Sequence, residues 1–298
     1  MPINKRAEEE DNGKGSLEEM VSIEDAQLLR KIKRSGINAI ELNDTLKALK
    51  KQKPNSTKDY SIGSEQCSFI YMTDSHIGNK HYDPKLNDFA AKMADELNVD
   101  FIAHGGDIAD GWYQNRPASI FEQYAVGYDN QKRECVKELS KFNKPIYFIT
   151  GNHTRNSFFR GAGVEIGEEL EASLNDNGIE AHFLGNAHGN IRVGKTNIQL
   201  IHPDGGSSYA ISYKSQKIIE SLESGKKPNI LLIGHFHKSE YLFYRNVHAF
   251  QGGTLCGQTD FMKNKGLAAH MGFWHIHFQA KKNGQIDTIT PTFFPKYT

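Results

Sequence analysis

The stretch CSFIYMTDSH, residues 67–76, decides the fold, because a run of apolar side chains leads directly into an aspartate and a histidine. A short apolar run bounded by polar residues is typical of a buried β-strand. Four later stretches repeat the pattern of a strand followed by Asp, Asn or His: VDFIAHGGD (99–107), KPIYFITGNH (144–153), NIQLIH (197–202) and NILLIGHFH (229–237). The repetition predicts one sheet-based domain with polar residues at its strand ends.

These strand-end residues also predict a shared site. In open sheets of this kind, ligands bind beyond the carboxyl ends of the strands. Alternating side-chain direction along a strand would place His76 on the same side as Asp74. The same alternation would bring His235 and His237 together, with Phe236 pointing away. We therefore expect Asp, Asn and His side chains to converge at one edge.

The composition limits the class of protein. The 298 residues leave room for one catalytic domain and a small additional unit. Lys+Arg and Asp+Glu both number 36, so no net field draws the protein to nucleic acid or to a membrane. No apolar run approaches the ~20 residues that span a bilayer, and the polar start is not a secretory signal. The 3 widely spaced cysteines favour reduced thiols, and we expect a cytoplasmic protein.

The first 64 residues are predicted to lie outside the catalytic domain. Residues 1–21 are charged and are expected to form a disordered tail. Residues 22–53 are expected to form a helical hairpin that starts at the capping-box pattern of Ser22. In one interpretation, its basic faces contact DNA phosphates, as a helix-turn-helix remnant would. In the other, these faces are solvated, and its leucines pack on the domain or pair two subunits into a homo-oligomer. We favour packing or pairing, because the leucines need a partner surface. Residues 54–64 are expected to be a linker.

Residues 65–298 are predicted to form an α/β domain with two facing β-sheets flanked by helices. Amphipathic patterns predict helices at 84–97, 124–142, 167–175 and 209–224. After Val247, alternating apolar runs are typical of antiparallel strands.

Taken together, the strand-end motifs resemble those of the calcineurin-like metallophosphoesterase superfamily. A single dipeptide carries no information, whereas the whole set in this order is specific and covers about residues 66–256. The resemblance implies a metallophosphoesterase-like four-layer sandwich and a two-metal-dependent phosphoesterase. The motifs here are Asp74-Ser75-His76, Gly106-Asp107, Gly151-Asn152-His153, His202 and Gly234-His235-Phe236-His237.

The chemistry of phosphate esters calls for these residue types. Hydrolysis needs a nucleophile at neutral pH and neutralisation of charge on the nonbridging oxygens. Two divalent cations about 3.5–4 Å apart supply both, because they lower the pKa of a shared water and clamp the phosphoryl group. The implied reaction is attack by a hydroxide that bridges the metals. Mixed imidazole and carboxylate ligands favour Mn, with Fe, Zn or Ni as alternatives, over Mg or Ca.

The resemblance also implies a role for each motif residue. The first metal would be bound by Asp74, His76, Asp107 and His237. The second metal would be bound by Asp107, Asn152, His202 and His235, with Asp107 as the bridge. His153 resembles the residue that protonates the leaving oxygen or steadies the attacked phosphate, without binding metal. Asn152 and Asp107 are therefore expected to serve catalysis alongside His153.

One position departs from the family pattern. The family usually places Asp or Glu after G-N-H, where it orients the histidine, but Thr154 and Arg155 follow here. The Thr154 hydroxyl could accept a hydrogen bond from the ring, but it supplies no negative charge. Either another carboxylate serves His153, with Asp110 as the candidate, or the acid role is weakened.

The substrate class is predicted from the loops around the motifs. Asp110 is followed by Gly111 rather than Arg, which argues against a protein phosphatase, although Arg116 and Arg155 remain available. The runs GGDIADGWYQNRPAS and DSHIGNKHYD are similar to the nuclease branch that includes double-strand-break repair exonucleases. Four aromatic residues either stack on bases or pack as a lid, and His81 either contacts substrate or is structural. The four aromatic residues are Trp112, Tyr113, Phe158 and Phe159.

We expect a phosphodiesterase or nuclease that acts on nucleic acid, whether DNA or RNA, or on nucleotides, with no membrane partner. The enzyme alternative is a phosphomonoesterase. The alternative from a different class is a nonhydrolysing DNA-associated adaptor, against which the complete ligand set argues.

Overall fold

The computed structural model describes residues 57–60, 65–113, 116–223 and 225–297. These residues belong to one compact unit, Pro54–Thr298. The predicted tail (1–21) and hairpin (22–53) lie outside the described residues. Within the predicted linker, Thr57–Tyr60 forms a strand that the sequence pattern did not predict.

Two six-stranded sheets form the centre of the described domain. One sheet has the order β12-β11-β2-β3-β4-β5, and the other has the order β1-β6-β7-β8-β10-β9. Neighbouring strands from β2 to β5 pair in parallel, and β7, β8 and β10 do the same in the other sheet. In chain order, the strands are β1 Thr57–Tyr60, β2 Gln66–Met72, β3 Phe101–His104, β4 Ile146–Ile149, β5 Ala181–Gly185, β6 His188–Val193, β7 Thr196–Ile201, β8 Ile230–Ile233, β9 Ser239–Tyr244, β10 Val247–Gly252, β11 Gly272–Ala280 and β12 Ile286–Pro295.

Helices cover the outer faces of both sheets. Helices α1 to α3 pack on the sheet that contains β2, and α4 packs on the sheet that contains β8. Between the sheets lies an apolar core in which the rings of Phe69 and Phe101 stack at 4.9 Å. The predicted α/β class with two facing sheets flanked by helices is therefore confirmed. The α-helices of five or more residues are α1 Pro84–Glu96, α2 Tyr128–Leu139, α3 Ile166–Asp176, α4 Ile211–Ser221 and α5 Asp260–Asn264, and shorter or irregular helical segments lie at Pro117–Glu122, Asn152–Thr154, Arg155–Phe159 and Arg160–Ala162.

Local sequence signals explain where these elements begin and why they are buried. Helix α1 begins after Asp83, whose carboxylate accepts hydrogen bonds from the amides of Lys85 and Leu86, and Pro84 occupies its first turn. Strands β3 and β8 are buried along their whole length, as expected for strands covered on both faces. None of the helices in the described part of the chain has the length and apolar content of a membrane span.

The C-terminal strands differ from the prediction in one respect. Strands β11 and β12 pair in an antiparallel manner as expected, but β10 pairs in parallel with β8. The cause is β9, which enters at the sheet edge and connects to β10 through a two-residue turn. Arg245 and Asn246 in that turn have φ of 50° and 64°, the backbone of a type I′ hairpin. The dipeptide Arg-Asn is a weaker hairpin signal than Asn-Gly, so the pattern did not reveal β9.

Candidate functional site

The predicted ligands lie where the carboxyl ends of the two parallel strand groups meet. In one sheet, polar residues follow β2, β3 and β4, and in the other sheet they follow β7 and β8. The structure brings all seven predicted metal ligands to this edge, and we call them the ligand rim. The ligand rim consists of Asp74, His76, Asp107, Asn152, His202, His235 and His237.

The backbone of the ligand rim differs from the strand geometry used to predict it. Five rim residues have left-handed φ: 52° at Asp74, 50° at His76, 49° at Asp107, 81° at His235 and 53° at His237. This conformation is uncommon outside glycine and concentrates at functional sites. The prediction that strand alternation aligns these side chains was therefore wrong. They lie beyond the strands, and left-handed turns direct them inward.

Hydrogen bonds between neighbouring loops hold these turns in place. The amide of Asp74 donates to the Gly106 carbonyl at 2.9 Å, and the amide of His76 donates to the Asp107 carbonyl at 2.9 Å. Gly151 has φ of 93°, and a Cβ there would lie 2.5 Å from Asp107 Oδ1. A side chain at residue 151 would therefore displace the central carboxylate.

The first group of ligand atoms comes from Asp74, His76 and His237. The two Nε2 atoms of His76 and His237 lie 3.0 Å apart, and His237 Nε2 lies 3.3 Å from Asp74 Oδ1. Asp74 Oδ2 accepts hydrogen bonds from the Thr73 hydroxyl and the His235 amide, both at 2.8 Å. Because Oδ2 is occupied, the buried and unpartnered Oδ1 is the atom that faces the two rings.

The second group comes from Asp107, Asn152, His202 and His235. His202 Nε2 lies 2.9 Å from Asp107 Oδ2 and 3.0 Å from Asn152 Oδ1. His202 Nδ1 donates to the Gly105 carbonyl at 2.8 Å, a contact that orients a ligating histidine and directs its Nε2 into the group. His235 Nε2 donates to a backbone carbonyl at 2.5 Å, so its Nδ1 is the nitrogen left for a metal.

The donor set and its electrostatics fit divalent metal ions. Burial raises the pKa of Asp74, but the neighbouring His237 and His202 rings hold it below its ordinary value. Burial likewise opposes ionisation of Asp107, and His202 and His153 lower its pKa well below the usual range. Although burial lowers the pKa of His202, Asp107 raises it to about 9. The buried carboxylates of Asp74 and Asp107 are thus stabilised by nearby positive charge. Metal ions can supply this charge, and their binding would displace the proton from His202.

His153 lies beside the rim and contacts Asp107 and Asp110. Its amide donates to Asp107 Oδ1 at 2.9 Å, and its Nδ1 donates to the Asp110 carbonyl oxygen at 2.6 Å. The Asp110 carboxylate lies 3.7 Å from the same Nδ1 and 3.4 Å from His76 Nδ1. Thr154 does not take the place of the usual acid, because its buried Oγ1 has no hydrogen-bond partner. The hydrogen-bond acceptor for the His153 ring is thus the backbone carbonyl of Asp110, and the carboxylate lies farther away.

The distance from His153 to the rim also allows a second interpretation. Its ligand atom lies within 4.8 Å of those of His76 and Asp107, so these three residues form another potential metal group.

A cavity of about 350 Å³ opens over the rim. Tyr113 lines it, whereas Phe158 is buried in the core against the ring of Tyr128, and neither Trp112 nor Phe159 is among the lining residues. Of the four predicted aromatic residues, only Tyr113 is therefore placed to contact substrate. His81 also does not line this cavity.

One further side of the cavity was predicted only in part, since the sequence named Arg116 as an available cation but not Phe261. Arg116 and Phe261 line it, and the Arg116 guanidinium lies 4.4 Å from the centre of the Tyr113 ring and 5.1 Å from that of Phe261. The available signal was Thr259, whose hydroxyl accepts a hydrogen bond from the Met262 amide and starts α5. That cap predicts a helix but not its position next to Arg116. The predicted alternative, Arg155, instead pairs with Asp204.

The family model described as calcineurin-like phosphoesterase matches residues 68–268, which is more than half of the chain. Among curated proteins, the DNA double-strand break repair protein Mre11 of Thermoplasma acidophilum is 33% identical over 95 residues. That match covers 29% of this chain and 22% of the relative, so the chain spans about a fifth of its length.

Two solved structures are similar to this chain at low sequence identity. A novel archaeal phosphodiesterase has a TM-score of 0.43 and 14% identity, covering 76% of this chain and 99% of that chain. Yfce, a phosphoesterase from E. coli, has a TM-score of 0.42 and 15% identity, covering 75% and 98%.

Proposed function

Because the chain belongs to the calcineurin-like phosphoesterase family and is a phosphoric ester hydrolase, we propose that it hydrolyses phosphodiesters using two divalent transition metals. One observation carries the proposal: Asp107 takes part in two groups of potential ligands. Its carboxylate lies within 4.8 Å of ligand atoms of His202 and His235 in one group and of His76 and His153 in another, and His76 also belongs to the group with Asp74 and His237. A carboxylate between two such groups suits a metal bridge.

The ligand rim would hold both ions. When bound, they would provide a nucleophilic water at neutral pH and neutralise charge on the phosphoryl oxygens. Mn fits the mixed nitrogen and oxygen donors, with Fe, Zn or Ni as alternatives. One ion would be held by Asp74, His76, Asp107 and His237, and the other by Asp107, Asn152, His202 and His235.

His153 would act on the leaving group or on the phosphate. Because its Nδ1 is committed to Asp110, its Nε2 is the nitrogen that can donate a proton to a leaving oxygen. Burial lowers the pKa of His153, whereas the carboxylates of Asp107 and Asp110 act in the opposite direction. Asp110 thereby helps the ring to carry the proton that an acid must hold.

The charge of the cavity favours diesters over monoesters. Among the described residues that line it, Arg116 is the only Lys or Arg. Arg155 points its guanidinium at Asp204, with Nη2 2.5 Å from Oδ1. A phosphomonoester carries a second negative charge that this arrangement leaves without a second guanidinium. The phosphomonoesterase alternative is therefore the weaker one.

We place the substrate among nucleic acids and nucleotides. The match to the Mre11 protein supports this class, because that relative is described as a DNA double-strand break repair protein. The two further proposals are a cytoplasmic location and a homo-oligomer formed through residues 22–53. The buried, unpaired state of all three cysteines is compatible with a reducing compartment.

The proposal is tested by comparing bis-p-nitrophenyl phosphate with p-nitrophenyl phosphate, using protein loaded with Mn. We expect a higher kcat/KM for the diester and loss of both activities after chelation. A preference for the monoester would support a phosphomonoesterase. Failure to hydrolyse either ester, with two metals per chain shown by elemental analysis, would refute the proposal.

A further inference from the structure

One side of the cavity carries residues that the proposed hydrolysis does not use. We call this set the outer wall: Arg116, Phe261, Met262 and Leu267. It lines the same cavity as Asp107 and His153, so a substrate whose phosphate lies at the rim would extend along it. Three of its four residues are apolar, as is common where a pocket binds an organic group.

The outer wall presents an open aromatic surface. Phe261 is 47% exposed, although it lines the cavity. The Arg116 guanidinium lies between the rings of Tyr113 and Phe261. Among the described residues, the contacts of this guanidinium are with these two rings. Such a surface suits a flat, polarisable group, because aromatic rings and guanidinium planes both stack on bases.

The side-chain oxygen of Gln123, a residue that lines the same cavity as the outer wall, lacks a hydrogen-bond partner. Gln123 is 5% exposed and lines the cavity. Its Nε2 donates to the carboxylate of Asp110 at 3.1 Å and to the carbonyl of Gly111, which fixes the orientation of the amide. Its Oε1 is buried without a hydrogen-bond partner, as is the hydroxyl of Ser119, which lines the same cavity. A buried acceptor of this kind is costly unless a ligand donates to it.

From these two observations, we infer that the outer wall binds the nucleobase of a nucleotide substrate. The base would stack on Phe261 and direct an N–H donor toward Gln123, with a small movement of the buried side chain opening Oε1 to the cavity. An alkyl group would cover the wall but leave Gln123 unpaired, and a second phosphate would be repelled by that acceptor. The inference deepens the proposed function and rests on it for the position of the phosphate.

The cavity volume limits the size of the ligand. About 350 Å³ lies at the lower end of the range for small-molecule pockets. One nucleoside unit fits this space, whereas a DNA duplex is far too wide to enter it. The nucleoside would come from a free nucleotide ester or from a single strand.

Calorimetric titration of the Mn-loaded protein tests the inference without relying on turnover. The probes are adenosine 5′-monophosphate and ribose 5-phosphate, which differ only by the base. Stacking predicts about 5- to 100-fold tighter binding of the adenosine compound. Phe261→Ala should bring the two dissociation constants together. Phe121→Ala, which removes a 77% exposed ring outside the cavity, should leave their ratio unchanged.

A third probe tests the part played by Gln123. Purine riboside 5′-monophosphate lacks the exocyclic amino group of adenine but keeps the ring system. A hydrogen bond to Gln123 predicts about 2- to 10-fold weaker binding than that of the adenosine compound. Equal affinities would remove Gln123 from the inferred contact.

The outcomes separate this inference from the proposed function. Equal affinities for adenosine 5′-monophosphate and ribose 5-phosphate would overturn the base site, even if bis-p-nitrophenyl phosphate is hydrolysed. A base preference that Phe261→Ala abolishes would support the site, even if no diester is hydrolysed. An equal loss of preference in Phe121→Ala would show that the effect is not local, and would also overturn it.

Discussion

The ligand rim and the outer wall line one cavity, but they are held in different ways. Rim residues such as Asp74 and Asp107 are buried, and their backbones are fixed by hydrogen bonds that pass from one loop to the next. The outer wall depends on Phe261, which is 47% exposed and lies on the short helix Asp260–Asn264. The comparison indicates that catalysis needs rigid side chains, whereas recognition of a flat group needs an open surface.

This difference has a consequence for substitutions. Rim side chains contact one another, so the loss of one should disturb the others and act on the reaction as a whole. Phe261 and Arg116 of the wall are exposed, so their loss should change which ligand binds more than it disturbs the rim. Four experiments test or sharpen this contrast together with the calorimetric titrations above.

The largest expected effect is at the centre of the rim. Asp107→Ala should lower the occupancy of both metals and abolish hydrolysis of bis-p-nitrophenyl phosphate, because Asp107 is proposed to bridge the two ions. Metal content by elemental analysis and steady-state kinetics measure the two effects. Asp88→Ala is the control, since Asp88 lies at the surface and pairs with Lys141. Full turnover with two bound metals in Asp107→Ala would remove Asp107 from the bridging role.

The next effect concerns the edge of the rim. His153→Ala should lower turnover about 10²–10⁴-fold while both metals remain bound, if the ring acts as a general acid. The loss should be smaller for an aryl leaving group than for an alkyl one, because a phenolate needs little protonation. Equal losses would leave His153 only a role in positioning the phosphate. Loss of metal would instead assign His153 to the ligand group that it forms with His76 and Asp107.

A smaller effect is expected one layer behind the rim. Asp110→Asn keeps the shape of the side chain but removes the charge that faces His76 and His153, at 3.4 Å and 3.7 Å. Loss of such an outer contact should cost about 10–100-fold in metal affinity or activity. Titration with Mn measures the loss of metal affinity, and the pH profile of kcat/KM measures the effect on activity. Unchanged metal affinity together with an unchanged profile would show that the Asp110 carbonyl alone orients His153.

The contrast between rim and wall also explains what could be predicted from the sequence. Each rim residue follows its strand within four positions, so apolar runs ending in Asp, Asn or His were enough to predict that these side chains converge. The left-handed turns at Asp74 and His235 were not visible, because non-glycine residues adopt them only under tertiary constraint. The alternation of strands and helices predicted the α/β class, but not the order of the strands in either sheet.

The outer wall could not be predicted in the same way. Arg116 and Phe261 are far apart in the chain and meet only because the loop after β3 and helix α5 lie over the same strand ends. No local pattern encodes such a meeting. Phe158 shows the opposite error, since an aromatic residue near a motif was predicted to be at the rim and packs in the core. Strand β1 was missed because TKDY has no apolar run.

The smallest expected effect on either region comes from deleting residues 1–53. Every rim and wall residue lies beyond residue 73, so hydrolysis of bis-p-nitrophenyl phosphate and the preference for the adenosine ligand should be unchanged. If the predicted hairpin contacts nucleic acid, the deletion should weaken DNA binding and flatten its salt dependence by about 0.9 in log–log slope per lost phosphate contact. If the hairpin packs on the domain or pairs two subunits, the melting temperature or the measured mass should fall instead. We favour this second outcome, because leucines such as Leu28, Leu42 and Leu46 need an apolar partner. A stable, monodisperse truncation that has lost only DNA affinity would show that the basic faces are the working surface.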